Sequence, residues 1–239
     1  MTKLSVNINK IATIRNARGG ETPSVTEAAI KIQEYGGQGI TIHPRPDERH
    51  ITRKDVYDIK PLVTTEFNIE GNPHRSFIDM VLDVKPEQGT LVPDADDAIT
   101  SNAGWDTKKH LDFLTEIIAE FKNAGIRTSI FLDPNPELVE YAAKTGTDRI
   151  ELYTEAYAKD YTSNKERAIK PYYDTAVVAA DFGLGLNAGH DLSLDNLKFF
   201  ADNIPNLLEV SIGHALISEA LYMGLENTVQ AYLKRLAKW

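Results

Sequence analysis

The chain has 239 residues, no cysteine and a formal charge of −9. That length suits one α/β barrel whose core folds without cross-links, and the missing thiols exclude disulfides, zinc–thiolate sites and a cysteine nucleophile. The acidic balance argues against diffuse affinity for nucleic acid, which needs clustered Lys and Arg, but leaves room for local anion binding by a few arginines and backbone N–H groups.

The first predicted strand, residues 4–9, alternates: Leu4, Val6 and Ile8 on one face, Ser5, Asn7 and Asn9 on the other. A loop, IATIRNARGG, should follow and carry Arg15 and Arg18. Ser24 is a candidate N-cap for a helix over 25–35. A strand at 39–43 runs into the proline-stiffened segment ITIHPRPDERHIT, then a short helix at 53–60. The third strand, 64–70, sets Phe67 and Ile69 against Glu66, Asn68 and Glu70; a helix at 75–84 and a strand at 89–92 come next. Leu111, Leu114, Ile117, Ile118 and Phe121 mark a helix over 108–124 that Gly125 stops. A strand at 127–132 precedes a helix at 137–145. The sixth strand, 149–152, opposes Ile150 and Leu152 to Arg149 and Glu151. A helix at 167–182, a strand at 184–187 and a helix at 194–203, ending before Pro205, follow. The last strand, 208–212, opposes Leu208, Val210 and Ile212 to Glu209, Ser211 and Gly213, and a helix over 216–236 closes the series.

Strand–helix units in this order predict parallel strands joined by crossovers. A closed (β/α)8 TIM barrel and an open doubly wound sheet both meet that description. Length and the count of strands favour the barrel, and no GxGxxG follows the first strand, which weakens the dinucleotide-binding alternative. With no linker or low-complexity stretch, residues 1–239 read as a single catalytic barrel domain. Buried parallel strands normally read as continuous apolar runs. Alternation here puts the apolar rows against the helices and predicts a polar barrel lumen; a half-exposed antiparallel sheet would alternate too, but leaves the long helices unexplained. The start MTKLSVNINK has no signal-like apolar stretch and no segment is long enough to cross a bilayer, so a cytoplasmic protein without membrane partners is expected.

Barrel enzymes carry their sites at the C-terminal ends of the strands. Those ends supply Asn7 and Asn9; His43 and Arg45; Glu70; Asp94; Asp133; Glu151; Asn187 and His190; Gly213 and His214. Histidines, glutamates and an arginine gathered at one rim are the groups that acid–base chemistry needs. A poorly solvated Glu70 would have a raised pKa, suited to a proton acceptor; a structural salt bridge is the alternative. Arg45 and His50 are placed to meet an anion, or to be solvated charges on a rigid turn. Backbone N–H groups at Gly213 and His214 point to a phosphate cradle after the eighth strand, with helix capping by His214 the other reading. Arg15 and Arg18 suit a glycine-hinged loop that folds over a phosphate, or a plain surface loop. Lys10 has the chemistry for a Schiff base, as in barrel aldolases acting on sugar phosphates. His43, His190 and Glu70 are a weak metal signal, so no metal is assigned. A phosphosugar-binding protein without catalysis is a further alternative, although it would not need these acids and bases.

The segments VNINKIATIRNARGG, ITIHPRPDERHIT, FNIE, LVP, IEL, LNAGH and IGHALI, in this order over essentially the whole chain, resemble the pyridoxine 5′-phosphate synthase family. The resemblance implies a cofactor-free barrel that condenses 1-deoxy-D-xylulose 5-phosphate with 3-amino-2-oxopropyl phosphate into pyridoxine 5′-phosphate, phosphate and water, and that assembles as a homo-octamer. It implies His43 and Glu70 as proton acceptors, His190 as proton donor and Glu151 as a transition-state stabiliser. Asn7, Arg18, Asp191, Gly213 and His214 match contacts to the amino-ketone phosphate, and Arg45, His50 and Thr100 contacts to the sugar phosphate. Two positions depart from the familiar pattern: Asn9-Lys10 replaces Asp-His, and Asp191 replaces Gly. Closure of the segment 94–106 and of the Arg18 loop is expected to exclude water from imine intermediates.

Overall fold

The computed structural model describes residues 1–94 and 103–237. Its eight strands are β1 (Lys3–Asn7), β2 (Gly39–Ile42), β3 (Glu66–Gly71), β4 (Gln88–Leu91), β5 (Arg127–Leu132), β6 (Arg149–Tyr153), β7 (Gly185–Gly189) and β8 (Leu207–Ile212). All pair in parallel in sequence order, and β8 returns to β1, with Leu4 opposite Val210, to close the barrel. The helices are α1 (Asn9–Asn16), α2 (Val25–Glu34), α3 (Arg53–Ile59), α4 (Arg75–Val84), α5 (Leu111–Asn123), α6 (Pro136–Lys144), α7 (Glu155–Tyr161), α8 (Lys165–Asp181), α9 (Leu197–Asn203), α10 (His214–Met223) and α11 (Leu225–Leu236). Among the described residues no helix is long and apolar enough to cross a membrane.

The period-two alternation of the strands sorts the core into two parts. Leu4, Val6, Ile40, Phe67, Ile150 and Val210 are fully buried among the residues packed between sheet and helices, each contributing roughly 1.5–3 kcal/mol by leaving water. The opposite rows fill the lumen with polar groups, many of which satisfy one another, although Ser129 Oγ, both Glu151 oxygens and Asn187 Nδ2 find no partner among the described residues. Ser5 and Thr41 hydroxyls lie 2.7 Å apart, Thr90 Oγ1 donates to Asn68 Oδ1 at 2.9 Å, and Arg127 Nε donates to Gln88 Oε1 at 2.9 Å. At the N-terminal end of the lumen Glu66 joins Lys3 to Arg127. The polar lumen read from the strands is therefore present.

Three local expectations need correction. The segment after β1 is not a loop: Asn7 Oδ1 accepts the Asn9 N–H at 3.0 Å, turning the chain directly into α1, so Asn9 leaves the strand and Arg15 is helical. An unexpected helix, α7, precedes α8; its Tyr157 is fully buried, with its ring centroid 5.9 Å from Tyr172 and 5.0 Å from Phe200. Finally, the closing helix breaks at Gly224, whose φ of 81° lies outside the right-handed helical region, giving α10 and α11.

Candidate active site at the C-terminal rim

Closing the barrel brings the ends of β1, β2, β3, β6, β7 and β8 around one cavity of about 340 Å³. Asn7, Lys10, His43, Arg45, His50, Glu70, His190, Asp191, Gly213 and His214 all line it. A second cavity of about 220 Å³ adjoins it behind His43 and Arg45, reaching Asn72, His74 and Phe77.

Neighbouring groups fix several of these residues. Asn9 Oδ1 accepts the His43 N–H at 3.0 Å, tying the start of α1 to the end of β2. His50 Nδ1 accepts the Ile51 N–H at 2.9 Å, which leaves its other ring nitrogen available. Glu70 accepts weak bonds from Asn68 and Asn7 Nδ2, each at 3.5 Å. His190 rests on an aromatic cradle, its ring centroid 5.0 Å from Phe131 and 5.5 Å from Tyr153. The turn that carries it is fixed from below: Thr154 donates its N–H to Gly189 O at 3.0 Å and its hydroxyl to Gly189 O and His190 O. His190 and Asp191 both adopt left-handed φ, 72° and 52°, unfavourable for residues with a Cβ and often found at functional turns. Gly189 is required for a different reason: a Cβ there would stand 2.2 Å from Glu151 Oε1. Gly213 passes so close to Asn7 that a Cβ would lie 3.1 Å from the Asn7 Cβ. That approach brings the N-terminus of α10 to the cavity wall, where its unbonded N–H groups favour an anion.

Burial divides the titratable groups into neutral bases and neutral acids. Burial, then the charges of Arg45, His50 and His190, push His43 well below the usual imidazole range. Burial and Arg45 lower His190 to about 4, and burial with Arg45 and Lys10 lowers His50 to about 4. Burial, reinforced by Glu151, Asp94 and Glu209, lifts Glu70 well above the carboxylate range. Burial and Glu209 lift Glu151 to about 8. Asp191 is raised by burial and Glu155, against His214 and Lys159. In the ligand-free protein burial therefore favours neutral rings at His43, His50 and His190 and the neutral acid form of Glu70 and Glu151.

Other residues singled out in the sequence fall elsewhere. Arg18 is exposed in the turn after α1 and does not line the cavity. Arg15 does not line the cavity either: its guanidinium is paired with Asp55 at 2.6 and 2.8 Å and donates to His50 O at 3.2 Å. Asp133 is off the lining, and Asp94 is buried in an ion pair with Arg45 beside the second cavity. Thr100 and most of the segment 94–106 lie outside the described residues. Sequence reasoning missed Tyr153, Phe131, Glu155 and Ser211. Tyr153 had a signal: it is two residues beyond Glu151, already read as inward, and period two carries it to the rim; Phe131 had none, because no face of the fifth strand was assigned.

The family described as "Pyridoxal phosphate biosynthesis protein PdxJ" matches residues 4–238. Pyridoxine 5′-phosphate synthase of Flavobacterium johnsoniae is 66% identical over 236 residues, 99% of this chain and 100% of its own length. That of Cytophaga hutchinsonii is 64% identical over 238 residues, 100% of both. Among solved structures, phosphoribosyl anthranilate isomerase from Thermotoga maritima superposes with a TM-score of 0.61 at 13% identity, covering 99% of this chain and 98% of its own. 3-Keto-L-gulonate-6-phosphate decarboxylase from Vibrio cholerae gives 0.63 at 8% identity over 98% and 97%. At such identities these two speak to the barrel fold alone.

Proposed function

The chain belongs to the PdxJ family of pyridoxal phosphate biosynthesis proteins, and we propose that the rim cavity is where it carries out the pyridoxine 5′-phosphate synthase reaction of its relatives. The substrates are 1-deoxy-D-xylulose 5-phosphate and 3-amino-2-oxopropyl phosphate; the products are pyridoxine 5′-phosphate, phosphate and water. The observation that carries the reading is the meeting of His43, Glu70 and His190 in one cavity that also holds the N-terminus of α10.

The amino-ketone phosphate binds through Asn7, Gly213, His214 and the Asp191 backbone. Arg45 and His50 receive the sugar phosphate, together with Thr100. The amine attacks the sugar ketone, giving an imine that joins the substrates. Proton transfers then drive phosphate loss, water addition, aldol-type closure and dehydration to the aromatic ring. His43, neutral in the free enzyme, is a ready acceptor. Burial favours the neutral acid at Glu70; a cationic imine beside it would favour its carboxylate form, so its acceptor role follows condensation. A phosphate dianion would conversely raise His190, making it the proton donor. Glu151, beneath, supplies a hydrogen bond to developing charge. No step requires a redox cofactor. We further infer that residues 1–239 act as one catalytic domain in the cytoplasm, as a homo-octamer in which Arg18 from a neighbouring copy completes a site; its exposure away from its own cavity supports that arrangement.

Incubation with both substrates, following pyridoxine phosphate absorbance and phosphate release, tests the activity. His43→Ala and Glu70→Ala should each lower turnover about 100-fold or more, the scale of a lost general acid or base. Undiminished turnover in both variants would overturn the assignment.

A further inference from the structure

Below the reacting groups lies an acidic residue with no role in the scheme above. Glu209 on β8 is in register with Lys3 on β1 and Asn187 on β7, and Asn187 is in turn opposite Glu151 on β6. These four therefore run side by side around the lumen. Glu151 and Glu209 are 1% and 2% exposed.

Their surroundings differ. Arg149 spends its nearest donor on Asn187, Nη1 to Oδ1 at 3.2 Å, and not on Glu151. Among the described residues neither oxygen of Glu151 has a hydrogen-bond partner, and neither has Asn187 Nδ2. A buried carboxylate without donors is costly when ionised and much less so as the neutral acid. Glu209, by contrast, shares the N-terminal half of the lumen with three cations, Lys3, Arg127 and Arg149, of which Glu66 balances only part.

We propose that Glu209 is a positioning residue for the reaction: its carboxylate, two strands along the lumen from Glu151 and in the half that holds Lys3, Arg127 and Arg149, carries negative charge there and so favours the neutral acid form of Glu151 beneath the reacting groups. The inference rests on the role given to Glu151 above. The charged groups facing the pair are Lys3 on β1, Glu66 and Glu70 on β3, Arg127 on β5 and Arg149 on β6, with Asp94 acting on Glu70 from beyond β4. β2 and β7 contribute the non-ionising Thr41 and Asn187. The directions agree: burial and Glu209 both raise Glu151, whereas at Glu209 the rise from burial and Glu66 is opposed by the three cations.

Infrared titration of the ligand-free enzyme reads this directly. A protonated-carboxyl band that Glu151→Gln removes should persist at neutral pH. In Glu209→Gln that band should titrate about one pH unit lower, since a like charge has gone; Glu209→Asp, which keeps the charge, should restore it. Asn187→Asp adds a charge on the other flank and should move the band upward, which keeps the test decisive if Glu209→Gln does not fold. The alkaline limb of kcat should shift with the band. A Glu151 already ionised at neutral pH in the parent enzyme, or a band that ignores both the Glu209 and Asn187 changes, would overturn the proposal. Because the band is read without substrate, its outcome for the pair is separate from any failure of the proposed activity.

Discussion

Asp55→Ala should cut a clamp on which the sugar-phosphate side of the cavity depends. The Asp55 carboxylate accepts from both terminal guanidinium nitrogens of Arg15, at 2.6 and 2.8 Å, and from both the backbone N–H and the hydroxyl of Thr52, at 2.7 and 2.8 Å. The same Arg15 reaches His50 O, as does Asn16 Nδ2 at 2.8 Å, so α1, α3 and the His50 turn meet at one carboxylate. The paired side chains are only 12% and 9% exposed. Removing one partner of a buried ion pair costs about 3–5 kcal/mol, and losing half a capping box adds about 1 kcal/mol. Arg15 keeps its bond to His50 O, so a net loss of about 3 kcal/mol is expected in urea denaturation. Burial opposes the ionised form of Asp55, but its bonds to Arg15 and Thr52 outweigh that, and its pKa is lowered in the folded protein. A depressed acid stabilises above its unfolded pKa and ceases to as pH falls through the folded one, so the gap between parent and variant should be full at neutral pH and narrow below about pH 4. KM for the sugar phosphate should rise more than kcat falls. A loss under about 1 kcal/mol, or a gap equally wide in acid, would refute the reasoning.

Two further changes probe the β7 turn. Gly189→Ala drives a Cβ into Glu151 Oε1; displacing that carboxyl by about 1 Å should lower kcat on the order of 100-fold, measured by product absorbance, while the fold survives by circular dichroism. Asp191→Gly relieves a left-handed residue and should raise stability by about 0.5–1 kcal/mol in urea melts. It also removes a carboxylate beside the phosphate cradle, so KM for the amino-ketone phosphate should drop.

The barrel was legible because strands such as the first alternate: Leu4 and Val6 against Ser5 and Asn7 tells which row meets the helices, and the count of eight strands favoured closure over an open sheet. His43, Glu70 and His190 were legible as inward or terminal residues of those strands. The boundaries failed where a side chain acts on the backbone across a turn. Asn7 bends the chain into α1, and no periodicity in IATIRNARGG announces that. Arg15 and Arg18 look alike in sequence, yet Asp55, forty positions away from Arg15, buries one and leaves the other in solvent. Nor does composition tell that Arg149 would turn to Asn187 and leave Glu151 without a donor, since that choice is made between neighbouring strands.

The chain of bonds from Lys3 through Glu66 and Arg127 to Gln88 has a consequence for how this protein can be altered. An oily plug tolerates approximate fit; a lumen wired by directional contacts does not. Slipping any one strand by a single residue would turn its charges toward the helices and push leucines into the ionic chain. Anyone recombining this scaffold with another barrel would have to transplant whole inward rows together, because no strand carries a lumen face that is complete on its own.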